Sequence, residues 1–356
     1  MQQLSQSLSA NLAALDRMFG SSADYYAKEI TIYHCKAVIL LFDGMASLDS
    51  LWTLLLDAAS RQAPTVQSGQ CCTGMQAYEL ILHDSAFPAE NAPVEDMDEL
   101  TKRLTAGMAV LLLDGCAKGI AFSVQGLKFR SVGEPSGEGN LRGSREGFAD
   151  LLRVNLSLLR RLIRSEQLVQ EAAQADTGMR TEYAICYCKN KADPAMVRQV
   201  RQTLAAAKPE LLLDSSYFVP WLFPARCRLF APVSYTERPA SAAAKLCEGK
   251  IVVLVNGSPS ALVLPSLFCE NFDCLDDYAT TALFSSFLRI LKYGSFYLSI
   301  FLPGVFVCLA VYLPELIPPQ LLYKIEAAEK ATPLPLFAEM LLVILLLEII
   351  REAGLR

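Results

Sequence analysis

Two sets of side chains in this 356-residue sequence have types and spacings suited to chemistry. The first is basic, in residues 139–165, GNLRGSREGFADLLRVNLSLLRRLIRS. At about 100° per residue, Phe148, Leu152, Leu159, Leu162 and Ile163 share one helix face, and Arg153, Arg160, Arg161 and Arg164 share the other. A basic ridge backed by an apolar face is therefore expected. Two readings fit the ridge: a solvated face partnered by Glu146 and Glu166, or a contact surface for another subunit or for anionic lipid headgroups. Just upstream, Arg142, Arg145 and Glu146 stand in a turn beside the free N–H groups of a helix N-terminus. That suits either an anion or a salt bridge that orders the loop. Asn155 falls within the apolar face, where its amide needs partners.

The second set is acidic. Glu339 and Glu348 lie in the apolar run 333–350, and a carboxylate at membrane depth is costly unless it serves a function. Nine residues correspond to about 900° of helix, so the two face opposite ways. Glu348 can pair with Arg351 at i,i+3. Glu339 has two readings, an ion-pathway residue or a carboxylate near enough to the segment's start to reach the headgroups.

No catalytic constellation accompanies them. The sequence has no GxSxG, P-loop or HExxH motif, and its two histidines, His34 and His83, complete no triad. The Gly-rich stretch 133–140, GEPSGEGN, lacks the P-loop lysine. The eleven cysteines include no CxxC pair, so no zinc site is expected. Neither an enzyme nor a cofactor is expected. A net charge of −5 gives no basic field for nucleic acid. An odd cysteine count and an N-terminus without a basic, apolar leader point to a reducing compartment.

The elements that must position these residues can be read in order. Leu4, Leu8, Leu12, Leu15 and Phe19 mark an amphipathic helix, and Ile30–Phe42 reads as a strand. A short helix is expected within 48–59, and a loop over 61–75. Residues 84–99 are Pro-rich and acidic, like a linker. Gly107–Asp114 with Ile120–Val124, and later the stretch 250–264, read as hairpins. An apolar strand ending in Asp-Gly or Asn-Gly thus recurs three times, at 43–44, 114–115 and 256–257. This fits an internal duplication, and equally the usual way hairpin turns are written. Between the hairpins, the pattern predicts a long helix over 144–175 and a strand at Glu182–Cys188. A helix capped by Asp193-Pro194, a strand at Leu211–Asp214 and a helix over 240–248 follow.

The character then changes. Residues 276–292 read as an amphipathic juxtamembrane helix. Gly294–Leu313 is twenty residues without a charge, about the length that crosses a bilayer. With 333–350 it forms an expected transmembrane hairpin. Arg289, Lys292, Arg351 and Arg356 at its ends place the soluble part in the cytoplasm. The expected fold is α/β: two small α/β subdomains, 1–99 and 100–275, followed by the juxtamembrane helix and a partial membrane domain, 293–356.

Four ordered blocks of residues resemble the A-subunit family of bacterial spore germinant receptors, the GerA family, which includes stage V sporulation protein AF. They are Arg142-Gly143…Arg145-Glu146-Gly147-Phe148 with Asn155 and Leu159-Arg160-Arg161; Arg238-Pro239…Lys245-Leu246…Glu248-Gly249 with Gly257 and Pro259; Asp277-Tyr278, Arg289, Pro303 and Glu315–Pro318; and Pro335, Glu339, Glu348 and Arg351–Gly354. Ser144 and Asn256 stand where the family pattern has Pro and Asp, and Leu313-Pro314 stands where it has His. The resemblance implies an oligomeric membrane subunit in the spore inner membrane, multi-pass, with its N-terminal part cytoplasmic. It implies partners too, a membrane B-type subunit and a lipoprotein C-type subunit, and a role in converting a nutrient signal into ion release. The family's membrane part has further helices, so the sequence is expected to be a fragment or a shortened relative. The alternative is a membrane-anchored sporulation scaffold without transport.

Overall fold

The computed structural model describes residues 3–33, 35–47, 73–83, 91–124, 138, 144–175, 180–223, 232–273, 277, 281–331 and 333–354. The short helix expected within 48–59 and most of the loop over 61–75 lie outside them, as does Arg142. Two compact units follow each other, Met1–Asn271 and Phe272–Arg356.

The first unit holds two five-stranded antiparallel sheets. Helix α1 (Leu8–Phe19) leads to β1 (Tyr25–Ile32) and β2 (Cys35–Phe42). Helix α2 (Gly74–His83), β3 (Asn91–Val94), α3 (Met97–Thr105), β4 (Ala109–Leu113) and β5 (Gly119–Phe122) complete the first module, with strand order β1-β2-β4-β5-β3. The second module runs α4 (Leu152–Leu162), β6 (Leu168–Gln174), β7 (Glu182–Cys188) and α5 (Pro194–Ala206). A 3-10 turn, Ser215–Phe218, then runs into one α-turn, Val219–Leu222. β8 (Ser234–Thr236), α6 (Pro239–Cys247), β9 (Ile251–Val255) and β10 (Ala261–Leu264) finish it in the order β6-β7-β9-β10-β8.

Both sheets are covered on both faces. In the first, Val38, Leu40 and Leu112 meet Leu15, Phe19, Leu100 and Leu104 of α1 and α3. Ile39, Leu111 and Phe122 meet Ala77, Tyr78 and Ile81 of α2 on the other side. In the second, Cys186, Val252 and Leu254 face α4 and α6, while Ile185, Val253 and Leu262 face α5 with Phe218 and Leu222. Burial on both faces is why β2, β4 and β9 read as unbroken apolar runs instead of alternating ones.

The two modules are copies of one plan. Each opens with a helix whose fourth residue is a buried asparagine, Asn11 or Asn155. Asn11 accepts from Ser5 N at 2.9 Å and donates to Ser5 O at 2.7 Å. Asn155 accepts from Ala149 N at 2.7 Å and donates to Ala149 O at 2.6 Å. The first N–H of each helix is capped by the hairpin turn of its own module: Leu8 N donates to Asp114 at 3.4 Å, and Leu152 N to Asn256 at 3.0 Å. The next residue of each turn donates back to the segment before the helix, Gly115 N to Gln6 O and Gly257 N to Asp150 O. Both glycines have positive φ, +78° and +92°, which suits residues without a Cβ. The recurrent Asp-Gly and Asn-Gly signals at 114–115 and 256–257 therefore mark equivalent turns of a duplicated fold.

Several expected boundaries move. The first sheet continues past residue 99, because β4 and β5 pair with β2 and β3. The Pro-rich stretch 84–99 is no linker over its described part, since it supplies edge strand β3 and the start of α3. Ile30–Phe42 is the inner part of a hairpin that reverses between Ile32 and Cys35. Tyr33 takes φ +50° there, a conformation for which no Gly or Asn gave warning. The helix expected over 144–175 is only α4; Leu168–Gln174 pairs along β7, so sheet pairing overrides the helix propensity of Gln, Glu and Ala. Leu211–Asp214 is not a strand.

The second unit contains α7 (Ala282–Tyr312), α8 (Pro319–Ala331) and α9 (Leu336–Gly354). α7 is one 31-residue helix, so the juxtamembrane and apolar segments are continuous, and Pro303 lies inside it without ending it. Among the described residues it is the one helix long and apolar enough to cross a membrane. α9 carries Glu339, Glu348, Arg351 and Glu352 in 19 residues. Around the start of α7, Lys292 donates to Asp277 at 3.1 Å, and Arg289 lies 3.4 Å from Asp273 and 3.5 Å from Asp277. The basic residues expected to orient the span thus stand beside acidic partners.

Candidate functional site

The expected basic ridge divides in two. Arg145, Arg153 and Arg164 are exposed, and Arg161 pairs with Glu146. That pair supports the loop-ordering reading of the turn. Arg164 Nε donates to Arg161 O at 3.2 Å. Arg160 is different: it is fully buried, so the expectation that it contacts another subunit or lipid is corrected. The helical wheel gave its direction properly but not its surroundings. The part of α4 around Ser157 and Arg160, away from its own sheet, is covered by the first module.

Arg160 is the bolt between the modules. Its Nε donates to Asp24 Oδ2 at 2.7 Å and its Nη2 to Asp24 Oδ1 at 3.0 Å. Nη2 also donates to Ser22 Oγ at 2.9 Å and Nη1 to Ser165 O at 3.1 Å, while the guanidinium carbon lies 4.5 Å from the centre of the Phe42 ring. Ser22 Oγ in turn donates to Asp24 at 2.6 Å and accepts from Gln170 N at 3.2 Å. A backbone bond, Ala23 N to Gln170 O at 2.8 Å, runs alongside. Gln170 Nε2 donates to Leu156 O at 2.9 Å, tying β6 to α4, while its Oε1 is buried without a hydrogen-bond partner. Asp24 and Arg160 are a buried pair with nearly every polar atom used, the condition under which such a pair persists in a low-dielectric site. The modules also approach closely at Gly44, where an added Cβ would lie 2.8 Å from Ser157 Cβ.

Along this seam a groove of about 450 Å³ opens, lined by Asp24, Tyr26, Asp43, Arg153, Gln174 and Glu182, among others. Three carboxylates and one guanidinium 3.8 Å from Asp43 give it hydrogen-bonding capacity without a nucleophile–base pair. Among the described residues no cluster of three or more His, Cys, Asp or Glu side chains could hold a metal. The Cys186 thiol, which feels the charges of Asp24 and Arg160, is buried, and burial pushes it up, out of the reactive range.

A second buried arginine was not singled out for a role. Arg238, at the start of α6, donates from Nη1 to Ser144 O at 2.7 Å and from Nε to Glu138 O at 2.9 Å. It holds the end of the arginine-rich loop against the second module. Burial pushes the Glu138 carboxyl up, against hydrogen bonds from Thr236 and Glu237 and the Arg238 charge. The sequence signal for it was the Arg-Pro pair before a helix, where only the proline's capping role is legible. In the second unit, Glu339 lies in the first turn of α9 and is partly buried, and its Oε1 has no hydrogen-bond partner. Glu348 pairs with Arg351.

The comparisons with known proteins fit this architecture. The family described as Bacillus/Clostridium GerA spore germination protein matches residues 13–356. Spore germination protein KA of Bacillus subtilis is 30% identical over 99% of this chain and 64% of its own length. Spore germination protein B1 of the same organism is 29% identical over 99% of this chain and 72% of its own, and stage V sporulation protein AF is 28% identical over 77% and 55%. The chain thus spans 55% to 72% of the length of these relatives. The crystal structure of the N-terminal domain of the A subunit of the Bacillus megaterium spore germinant receptor GerK3 superposes with a TM-score of 0.59 at 23% identity, covering 75% of this chain and 98% of that one. That likeness confirms the α/β fold of the first unit. The chain is a member of the Bacillus/Clostridium GerA spore germination protein family.

Proposed function

We propose that the chain is a membrane subunit of a spore germinant receptor that passes a nutrient signal to ion release. The observation that carries this reading is the Arg160–Asp24 bolt. A two-module body joined by a network centred on one buried ion pair, with a polar groove beside it, is built to respond as a unit to an event at the seam. α7 anchors that body in the spore inner membrane with the first unit cytoplasmic, and α9 inserts as a second span. The partners are a membrane B-type subunit, a lipoprotein C-type subunit and further copies of the chain. Glu339 is the ion-pathway residue, because an unpartnered carboxyl oxygen just before the uncharged stretch 340–347 of α9 suits transient cation contact. Arg145 and Arg164, exposed beside the Arg161–Glu146 pair, are the subunit or lipid contacts.

Spores whose only copy is wild type or Glu339→Gln, exposed to a nutrient mixture, separate the possibilities. Ion release slowed by roughly tenfold or more in the variant, with normal protein level, is expected of a pathway carboxylate. Equal release would remove Glu339 from the pathway. The alternative, a sporulation scaffold anchored by α7 alone, draws on α7 being the one helix among the described residues that is long and apolar enough to cross a membrane. It predicts assembly without any dependence of ion release on this chain.

A further inference from the structure

The last residues of the first unit are held by charge more than by apolar burial. After β10 the chain passes through Pro265 and Ser266 into a 3-10 turn, Phe268–Phe272. Leu267 is 63% exposed, Phe268 is 44% exposed, and Cys269 is exposed too. Burial of these side chains therefore adds little to hold the segment. Glu270 is different, with its side chain only 13% exposed. Its Oε2 pairs with Lys250 Nζ, lies 3.8 Å from Lys245 Nζ and accepts from Ser266 Oγ at 3.3 Å. Both lysines belong to the frame of the second module. Lys245 sits in the last turn of α6, and Lys250, itself buried, stands directly before β9, the middle strand of the sheet. Lys250 N donates to Lys245 O at 3.1 Å, so the two ammonium groups come from one tight turn. A buried ammonium group needs a counter-charge, and Glu270 supplies it from the exit segment. The second unit has a clamp of its own at its start. There Lys292 of α7 donates to Phe272 O at 3.2 Å, and Arg289 lies 3.4 Å from Asp273.

We propose that Glu270 is a positioning residue that ties the exit of the second module to its α6–β9 turn, so that movement of that module passes along the chain into α7. The inference rests on the receptor reading above and deepens it, by naming the residue through which the signal leaves the first unit. From Glu270 to Asp273 there are three peptide steps, at most about 11 Å of chain. A segment held at Glu270 and again at Phe272 leaves only Asn271 between the two holds. A longer flexible linker would absorb a movement, and this one has no slack to do so. What is fixed is reach along the chain; no face of one unit has to touch the other.

The test compares versions of the full chain, each as the only copy in its spores: wild type, Glu270→Gln, the swap Glu270→Lys with Lys250→Glu, and a Gly-Ser-Gly-Ser insertion after Asn271. Spores without the chain are the control. Membranes are digested briefly with chymotrypsin, which cuts after Leu267, Phe268 or Phe272 once the segment loosens, and ion release is timed after a nutrient mixture. At equal protein level, Glu270→Gln is expected to be cut roughly tenfold faster. Its ion release is expected to slow roughly tenfold. The swap should return both readouts to within roughly threefold of wild type. The insertion keeps Glu270 and its lysines but adds slack, and is expected to slow release as much as Glu270→Gln does. Where Glu270→Gln does not accumulate, the insertion decides. An unchanged cutting rate in Glu270→Gln overturns the proposal, since the carboxylate then does not hold the segment. A swap at normal level that restores neither readout also overturns it. So does wild-type release from Glu270→Gln despite faster cutting, or from the insertion. The receptor reading survives these outcomes as long as wild type outpaces spores without the chain. Equal release with and without the chain overturns the receptor reading, and this inference with it.

Discussion

The two modules share a plan down to individual hydrogen bonds, yet they differ at two equivalent positions. Where α4 has Arg160, α1 has Asp16, the residue after a fully buried leucine in both helices. Where α6 is preceded by Arg238, α3 is preceded by Asp96, which caps its helix by accepting from Glu99 N at 2.7 Å. Asp16 is exposed and Asp96 does an ordinary capping task. Arg160 and Arg238 are instead the largest fully buried side chains described. The comparison separates scaffold from adaptation. What the modules share builds two sheets, and what the second adds is a pair of buried cations that hold other parts of the chain to it.

The largest test breaks the comparison at Arg160. Arg160→Ala leaves Asp24 buried without its counter-charge, a change that costs about 3–5 kcal/mol. Asp16→Ala, at the matching exposed position, is expected to stay within about 0.5 kcal/mol. Urea unfolding of the N-terminal unit measures both. Similar losses at the two positions would mean the bolt contributes nothing beyond its helix. A double variant, Arg160→Met with Asp24→Leu, is expected to recover much of the loss while freeing the modules to move. The next effect sharpens the shared part. Asn11→Ala and Asn155→Ala each orphan a backbone N–H and C=O pair near a buried helix start, for about 1–3 kcal/mol apiece. Costs within about 1 kcal/mol of each other support equivalence in energy as well as in geometry. A silent Asn11→Ala would confine the equivalence to shape.

Much of the scaffold was legible because its signals are local. The Asp-Gly and Asn-Gly turns, the Asp193-Pro194 start of α5 and the apolar runs of β2, β4 and β9 follow from turn chemistry, capping and burial. Their recurrence hinted at duplication, but equivalence required seeing that Asp114 and Asn256 cap the first helices of their modules, contacts more than a hundred residues apart in sequence. Arg160 shows the limit of a helical wheel. The wheel separates the faces of α4, but it cannot say that the basic face is covered at Arg160 and open at Arg153, so a buried cation looked like part of a solvent ridge. β6 was hidden for a related reason: LVQEAAQ has helix-forming residues, and only its partner β7 makes it a strand. The Glu348–Arg351 pair was legible from its i,i+3 spacing, whereas Glu339 stands in the first turn of α9 with an unpartnered carboxyl oxygen, which spacing alone does not give.

The smallest expected difference between the modules is in their response to acid. After Gly257 the second module's turn carries Ser258 and Ser260, both donating to Asp214, with Ser216 N donating to it as well at 3.1 Å. The matching positions after Gly115 are Cys116 and Lys118, and Lys118 pairs with Glu95 at the surface. Burial alone would push the Asp214 carboxyl up. The hydrogen bonds from Ser216, Ser258 and Ser260 outweigh it and hold Asp214 at about 2, below its ordinary 3.8. A carboxyl depressed on folding stabilises the fold above its unfolded value and loses that contribution as pH falls towards the folded value. The window is therefore about pH 4 down to about pH 2. Asp214 is only partly buried, so solvent screening keeps the contribution small and salt-dependent. Melting of the N-terminal unit between pH 5 and pH 2, roughly that window with a margin, is expected to fall less steeply for Asp214→Asn than for wild type. Lys118→Met should leave the same slope unaltered, because its partner is exposed. If Asp214→Asn keeps the wild-type slope, the acid sensitivity lies in carboxylates common to both modules. The turn would then be one more place where the two copies are energetically the same.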